Sequence, residues 1–232
     1  MHQVMARGIE KLDILYEDRW FIAIDKPSGL LSVGAPGRGE VTAYDLVNSY
    51  LEHRYNRATR AFVLHRIDQF TSGVLLFAKK RDMQEYMREY WNEIIDKRQY
   101  AAVLQGVPAP KEGRIVSWLT ENSRNFTVYS SPVDNGGQMA ISNYRVLSDD
   151  GNRSLVEFTL ETGRKNQIRV HAATHLGCPV LGDRKYGNES SCKDVKRLCL
   201  HHRGIEFIHP ATEQPVRIES NVPRYFKTLL NK

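Results

Sequence analysis

The segment HRIDQFTSGVLLFAK, residues 65–79, joins a polar loop to an apolar run and decides how the rest of the chain is interpreted. Val74–Ala78 is a short apolar run that begins at a glycine and ends at two lysines, a composition that predicts a buried strand. Ala61–Leu64, before the loop, predicts a second strand. The polar loop between two strands is therefore a position where a rigid scaffold holds functional side chains.

The loop itself concentrates groups that can take part in chemistry. After His65, Arg66 supplies a cation, Asp68 supplies a carboxylate, and Thr71 and Ser72 supply two hydroxyls just before Gly73. A simpler interpretation is a polar hairpin turn, in which Asp68 accepts a backbone hydrogen bond and Gly73 provides conformational freedom. Judged on the loop alone, the simpler interpretation is favoured.

Outward from this loop, strand-like and helical patterns alternate along the chain without internal repeats. Strands are predicted at 20–25, 61–64, 74–78, 100–104, 114–119, 139–146, 154–160, 199–208 and 216–219, and helices at 42–55, 82–95, 163–177 and 224–230. Many hairpin-like strands with interspersed helices predict an α+β fold with a largely antiparallel or mixed sheet. No linker rich in Pro, Gly or Ser divides the chain, so a single domain over residues 1–232 is expected.

A second polar segment, ETGRKNQIRVH at residues 161–171, collects cations around a predicted helix start. Backbone N–H groups and the helix dipole favour anions at such a position. On a continuous helix, Lys165 and Arg169 would stand one turn apart on the same face. Arg164 adds a third cation, although the segment alone is explained slightly better as a solvated basic surface.

The composition limits the class of protein. The formal net charge is +6 and the isoelectric point is about 9.2, which fits a polyanionic partner such as nucleic acid. No apolar run approaches the roughly 20 residues that span a bilayer, and the first residues lack a signal peptide's apolar stretch. A cytoplasmic protein without membrane association is therefore expected.

Cysteine and histidine usage predicts no metal site and no disulfide framework. The three cysteines are few and are not paired at zinc-binding spacing. His171 and His175 are one helical turn apart, but the glutamate of an H-E-x-x-H motif is missing between them. Both histidines are therefore expected to be structural residues on a packed helix.

Four motif segments follow one another along the chain: DKPSGL at 25–30, HRIDQFTSGVLLFAK at 65–79, KRQYAAV at 97–103 and ETGRKNQIRVHAATHLGCPVLGDRKYG at 161–187. Together they resemble the motif series of the RluA family of pseudouridine synthases, and the resemblance runs from about Ile14 to the end. It implies a mixed, mostly antiparallel sheet with flanking helices and a central cleft, in one catalytic domain. It also implies isomerisation of uridine to pseudouridine in tRNA or ribosomal RNA, without a nucleotide or other cofactor.

The resemblance also assigns roles to residues. Asp68 is the expected nucleophile, a carboxylate that can form a covalent intermediate. Arg66 is expected to displace the target base from its stack, and Tyr100 to pack against the uracil. Arg169 is expected to pair with the aspartate and hold it ionised. The expected apolar wall is Ile168 or Val170, and the expected RNA contacts are His65, Thr71, Arg164 and Lys165.

This chain departs from the family pattern at two positions, with Asn166 in place of the usual His and Ile67 in place of the usual Leu. The asparagine can still donate a hydrogen bond. Many relatives carry an N-terminal S4 RNA-binding domain, which we expect to be absent here, and a monomer is expected. Two alternatives stay open: a non-catalytic RNA-binding protein based on the basic clusters, and a hydrolase that uses Asp68 and Glu161 and releases free uracil.

Overall fold

The structure is a computed structural model that describes residues 12–34, 39–55, 59–193 and 195–231. Its strands are β1 (Ile14–Glu17), β2 (Phe21–Lys26), β3 (Phe62–Val63), β4 (Ser72–Ala78), β5 (Ile95–Gln105), β6 (Glu112–Glu121), β7 (Val128–Ser131), β8 (Gln138–Asp149), β9 (Arg153–Leu160), β10 (Leu200–Ile208) and β11 (Pro215–Glu219). Its helices are α1 (Ala43–Arg54), α2 (Arg81–Glu89), α3 (Trp91–Ile94), α4 (Gln167–Thr174), α5 (Glu189–Cys192) and α6 (Arg224–Thr228), and a short 3-10 helix spans Leu229–Asn231.

The chain forms two compact units. Unit 1 contains the residues up to Asp96 together with His202–Asn221, and unit 2 contains Lys97–His201 and the residues from Val222 onward. In unit 1 the strand order is β1-β2-β4-β10, with β3 paired to β4 and β11 paired to β10. In unit 2 the strand order is β5-β9-β8-β6-β7. Neighbours such as β2 and β4, or β8 and β9, are antiparallel.

The central strands of unit 1 are buried on both faces. Because side chains alternate between faces along a strand, Phe21 and Val74 point with their alternate neighbours into one hydrophobic cluster. The Phe21 ring meets Phe207 edge-on, with centroids 5.5 Å apart. Phe77 on β4 points to the opposite face, where the centre of its ring lies 6.5 Å from that of Tyr44 on α1. Burial on two sides explains why β2 and β4 are continuous apolar runs rather than alternating ones.

Helix α1 forms as the sequence predicts. Thr42 caps its first turn: the Asp45 N–H donates to the Thr42 hydroxyl at 3.3 Å, and the Asp45 carboxylate accepts the Thr42 N–H at 3.0 Å. This reciprocal pair satisfies two N–H groups that a helix start leaves free. The apolar positions Leu46, Val47 and Leu51 are buried, as their spacing predicts.

Two predicted helices are wrong in extent. The helix expected over 82–95 ends at Glu89, because Tyr90 leaves the helical conformation, and α3 follows as a separate turn. Only Met87 is buried among the apolar residues of α2, and Tyr86 is exposed. The helix expected over 163–177 begins only at Gln167. Lys165 therefore precedes the helix and does not share a helical face with Arg169.

Two short strands were not predicted, and several predicted strands are longer than expected, β5 most of all. β1 and β7 have four residues each, too few to show a clear alternation of apolar and polar residues. β5 begins at Ile95 rather than Tyr100, since its first residues are polar and partly exposed and therefore lack a strand's apolar signature. None of the helices within the described ranges has the length and apolar composition needed to cross a membrane.

Helix α4 packs in unit 2 through a buried histidine. His171 is fully buried, and its two ring nitrogens each lie 2.9 Å from a serine hydroxyl, Ser117 on β6 and Ser142 on β8. Burial, helped by the neighbouring His175, lowers the pKa of His171 to about 3. The neutral imidazole thus joins the helix to two strands, which agrees with the structural role expected from the sequence.

The depressed pKa of His171 makes the stability of the fold depend on pH. Between about pH 6.5 and 3 the unfolded chain binds a proton at this residue that the folded chain does not, so stability falls as the pH falls through this window. The slope that this residue contributes approaches about 1.4 kcal/mol per pH unit. We expect His171→Phe to flatten the profile of unfolding free energy, measured with urea between pH 7 and 5. An identical slope in both proteins would contradict the assignment.

Gly73, the first residue after Ser72 in β4, has a conformation and a position that only glycine can occupy. Its φ is +106°, and a Cβ atom built on it would lie 2.1 Å from the carbonyl oxygen of His202 on β10. Gly29 has a similar φ of +96°, but a Cβ atom there would meet nothing within 4 Å. Alanine substitutions at the two glycines therefore distinguish the cost of backbone strain alone from the added cost of a steric collision.

We expect Gly29→Ala to lower the free energy of unfolding by about 1 kcal/mol, the cost of a left-handed backbone for an L-residue. Gly73→Ala should cost about 1–3 kcal/mol more, because the new methyl group displaces the His202 backbone. Urea denaturation of both variants measures the difference. Equal losses would show that β4 and β10 can separate without cost.

Candidate active site

Asp68 lies in unit 1 on the loop between β3 and β4, where the sequence predicts the functional residues. Its side chain is half-buried, between the buried Ile67 and the exposed Gln69. The Thr71 N–H donates to the Asp68 carbonyl oxygen at 3.1 Å and closes a turn around the aspartate. Arg66 is exposed to solvent. The loop therefore presents one carboxylate and one guanidinium from a closed turn.

The segment that follows β2 fixes the backbone of this loop. The Ser32 hydroxyl donates to the Ile67 carbonyl at 2.7 Å and accepts the Ile67 N–H at 3.2 Å, and both groups are buried. The Gly29 N–H donates to the carbonyl of Gln69 at 2.9 Å. The Ser28 hydroxyl donates to the Phe70 carbonyl at 2.7 Å. The main chain on both sides of Asp68 is thus held in one conformation.

A buried lysine at the end of β2 completes this attachment. Lys26 has no exposed surface, and its ammonium group donates to the carbonyls of Pro27 (3.0 Å), Leu30 (2.7 Å) and Gln69 (2.9 Å). Burial lowers the pKa of Lys26 to about 8, while the carboxylates of Asp68 and Asp25 act in the opposite direction. The cation therefore lies within electrostatic reach of Asp68, whose negative charge favours the charged form of Lys26.

Sequence reasoning missed the role of Lys26. The DKPSGL segment contributed to the family resemblance but received no function of its own. A lysine directly after the apolar run WFIAID was the available signal, since a strand buried on both faces carries that residue into the interior. One of its three carbonyl acceptors, that of Gln69, lies 43 positions away on another loop, which no local pattern reveals.

The two other predicted residues of the loop are held by protein contacts. The Leu76 N–H donates to Nε2 of His65 at 3.1 Å, and the His65 ring packs 5.7 Å from the Trp91 ring. Thr71 is 2% exposed. The RNA contacts expected of both residues stay predictions.

In unit 2, Arg169 is fixed by a buried carboxylate. Its Nε and Nη2 atoms donate to the two oxygens of Asp183 at 2.7 and 2.8 Å, and its Nη1 donates to Oδ1 of Asn166 at 2.8 Å. The guanidinium lies 5.1 Å from the centre of the Tyr186 ring. Burial opposes ionisation of Asp183, but its bonds with Arg169 outweigh this and hold the pKa of that carboxyl below its usual range. A bidentate pair of this kind orients the arginine strictly.

Asn166, which replaces the histidine common in the family, begins helix α4 in a left-handed conformation with φ of 56°. Asparagine tolerates this region better than most residues. Its side-chain amide donates to the Tyr186 hydroxyl at 3.1 Å, so the hydrogen-bond donor expected at this position is present. The substitution therefore keeps a donor and links Arg169 to Tyr186.

The remaining predicted residues of unit 2 differ in exposure. Tyr100 on β5 and Ile168 on α4 are 9% and 4% exposed, and Val170 is fully buried in a cluster with Leu119 and other core residues. The Arg164 guanidinium donates to the carbonyl of Met139 at 2.9 Å and stays exposed, and Lys165 forms an ion pair with Glu121. Among the predicted residues, Arg169 is thus held by Asp183 in unit 2, and the loop that carries Asp68 is held by Lys26 in unit 1.

Known proteins share this arrangement. The fold matches the solved structure of human RNA Pseudouridylate Synthase Domain Containing 4, with a TM-score of 0.77 over 94% of this chain and 92% of that chain, at 24% identity. The predicted α+β fold, a mostly antiparallel sheet with helices, is confirmed, and the predicted central cleft stays a prediction. The fold is that of solved RNA pseudouridylate synthases.

The sequence relatives make the assignment specific. Residues 20–174, more than half of the chain, match the family of RNA pseudouridylate synthases. Ribosomal large subunit pseudouridine synthase C of Rickettsia bellii is 32% identical over 224 residues, which cover 96% of this chain and 72% of that protein. An uncharacterized RNA pseudouridine synthase of Zymomonas mobilis is 33% identical over 216 residues, 93% of this chain and 96% of that protein. The chain belongs to the RluA-type family of RNA pseudouridine synthases, which are isomerases.

The contacts of Lys26 predict that its loss destabilises unit 1. Lys26→Met keeps the length of the side chain but removes the donor shared by three carbonyls, which should lower the free energy of unfolding by about 2 kcal/mol. Lys80→Met, at a partly exposed lysine just before α2, is the matched control and should change stability by less than about 0.5 kcal/mol. Urea unfolding compares the two, and equal stabilities would refute the role assigned to Lys26.

Proposed function

We propose that this protein converts specific uridines of ribosomal RNA or tRNA to pseudouridine, with Asp68 as the nucleophile. The observation that carries the proposal is the half-buried Asp68 carboxylate on a backbone held by Ser32 and Lys26. A solvated turn would need no such support. A fixed geometry, by contrast, lowers the entropic cost of bringing a nucleophile to its target atom.

The chemistry is an isomerisation and needs no external reactant. The bond between the uracil N1 and the ribose C1′ breaks, the base turns, and C5 of the same base bonds to C1′. C5 then loses its proton and N1 gains one, so that no atom is added or lost overall. A carboxylate such as Asp68 can attack C1′, add to the base, or remove a proton at C2′, and these three routes stay open. In each of them the Asp68 carboxylate acts within electrostatic reach of the Lys26 ammonium.

The target uridine has to leave its stack before Asp68 can reach it. Arg66 is exposed two residues before Asp68, a position from which a guanidinium can enter the space of the displaced base. Extrusion costs a few kcal/mol, so uridines in loops or distorted stems are the favoured targets. Tyr100 is proposed to stack on the uracil, Ile168 or Val170 to supply apolar wall, and Arg169 to pair with the aspartate, as the family resemblance implies.

Ribosomal RNA is the target to test first, and tRNA the second. The Rickettsia bellii relative is named for the ribosomal large subunit. The net charge of +6 fits an RNA partner in either case, since lysine and arginine gain affinity by releasing condensed counterions. We further propose that the protein acts in the cytoplasm as a monomer, through a single catalytic domain and without a cofactor.

Asp68→Asn tests the central assignment. The amide keeps the size of the carboxylate but cannot act as an anionic nucleophile, so the rate of pseudouridine formation should fall by at least about 1000-fold. Asp82→Asn, at an exposed carboxylate on α2 of the same unit, should leave the rate unchanged. The measurement is mass-spectrometric mapping of pseudouridine in RNA from cells that lack the protein and are complemented with each form.

The outcomes separate the alternatives. Sites that return with wild type and Asp82→Asn, but not with Asp68→Asn, support both the activity and the nucleophile and identify the substrate. If Asp68→Asn restores every site, Asp68 is not the nucleophile. If purified wild-type protein releases free uracil from RNA, the protein is a hydrolase instead.

A further inference from the structure

An aromatic side chain is exposed at the tip of a hairpin in unit 2, outside the motifs that carry the family resemblance. Phe126 lies between β6 and β7, and 61% of its surface is exposed. Its φ is 55°, in the left-handed region that bulky L-residues rarely adopt. Asparagine or glycine would occupy this conformation with less strain. An exposed aromatic ring in an unfavourable backbone conformation indicates a use for the ring itself.

The hairpin tip holds Phe126 in a defined place. The Phe126 N–H donates to the Asn122 carbonyl, and the Asn122 N–H donates to the Thr127 carbonyl, each at 2.8 Å. The Asn125 side chain accepts the Thr127 N–H at 2.9 Å. These bonds close the loop on itself. The ring is therefore presented by an ordered turn and loses little conformational freedom when it binds a flat partner.

Two lysines from the 161–187 segment adjoin this ring. The Lys165 ammonium lies 5.4 Å from the ring centre, and the Lys185 ammonium donates to the Phe126 carbonyl at 2.6 Å. Lys165 comes from the segment at 161–171 that the sequence identifies as an anion-binding candidate, and Lys185 lies further along the 161–187 segment. The loop residues before Phe126 are polar or basic, Asn122–Asn125. A flat ring flanked by cations suits a nucleobase with its phosphates better than an apolar protein surface.

The hairpin is connected to the polar network around Arg169. Two residues beyond Phe126, the Val128 N–H donates to the Tyr186 hydroxyl at 2.9 Å. The same hydroxyl accepts the Asn166 amide at 3.1 Å, and the Tyr186 ring adjoins Arg169. A base stacked on Phe126 is thus held at a fixed position relative to Arg169.

We propose that Phe126 is a stacking platform for an unpaired base of the RNA substrate, with Lys165 and Lys185 binding the adjacent phosphates. The proposal rests on the proposed function, in that the ligand is the RNA whose uridine is converted. It adds a substrate-positioning residue that lies outside the motif segments.

Phe126→Asn and Phe126→Tyr test the platform, with Leu147→Ala as an exposed apolar control on β8 of the same unit. The probe is a 20-nucleotide single-stranded RNA of mixed sequence with a central 2-aminopurine, whose fluorescence falls on stacking. Phe126→Asn should bind about tenfold more weakly, in the range for loss of one stacked base, and Phe126→Tyr should stay within about twofold of wild type. Leu147→Ala should bind like wild type. The Tm of Phe126→Asn should equal or exceed that of wild type, because asparagine fits the left-handed conformation.

Equal affinity of wild type and Phe126→Asn overturns the proposal. The proposal is also overturned if Phe126→Asn and Phe126→Tyr both lose affinity and both have a lower Tm. The role of the ring would then be structural. Pseudouridine mapping on the same proteins separates this result from the reaction itself. If the protein converts RNA but its binding does not depend on Phe126, only the stacking proposal is refuted. If binding depends on Phe126 but no uridine is converted, only the proposed function is refuted.

Discussion

The position of the candidate nucleophile, Asp68, depends on the hydrogen bonds of the buried Lys26 ammonium group. A cation without exposed surface is tolerated only when hydrogen bonds and opposite charge replace its water. Three carbonyls from two loops supply the bonds, and the Asp68 and Asp25 carboxylates supply the charge. One residue therefore joins the end of β2 to the loop that carries Asp68. The Ser32 hydroxyl extends the same attachment to Ile67.

Unit 2 uses the same physical device with the charges exchanged. There the fully buried group is the Asp183 carboxylate, and it orients Arg169 through two parallel bonds while its Oδ1 atom accepts the backbone N–H groups of Lys185 and Tyr186. Asn166 takes part because it occupies a left-handed position and bonds to both Arg169 and Tyr186. In unit 1 the buried ion fixes the backbone that presents Asp68, and in unit 2 the buried ion holds the Arg169 guanidinium directly. Fixed polar groups of this kind need no reorganisation when the reaction occurs.

The elements predicted well are those whose signal is local. The apolar run of β4, the cap and apolar face of α1, and the placement of Asp68 on a loop between strands all follow from neighbouring residues. The errors arise where local and tertiary preferences compete. The periodicity of residues 82–95 favours a helix, but the chain leaves that helix at Tyr90 and enters β5 at Ile95. From Gln99 onward β5 pairs with β9, a tertiary contact that local periodicity does not encode. The basic run before Gln167 resembles a helix start, yet the chain there makes side-chain bonds instead, such as that of Arg164 to Met139.

The sequence by itself determined the family, the reaction class and the identity of the candidate nucleophile, because short ordered motifs with fixed spacing carry that information. Only the tertiary structure decided which groups hold those motifs in place. The acceptors of Lys26 include Gln69, which is 43 positions away, and the partner of Arg169 is Asp183, which is 14 positions away. Hydrogen bonds across such separations depend on how strands and loops pack in space, and no periodicity or propensity along the chain encodes them. For the same reason the exposure and strained backbone of Phe126 became visible only once the hairpin between β6 and β7 was folded.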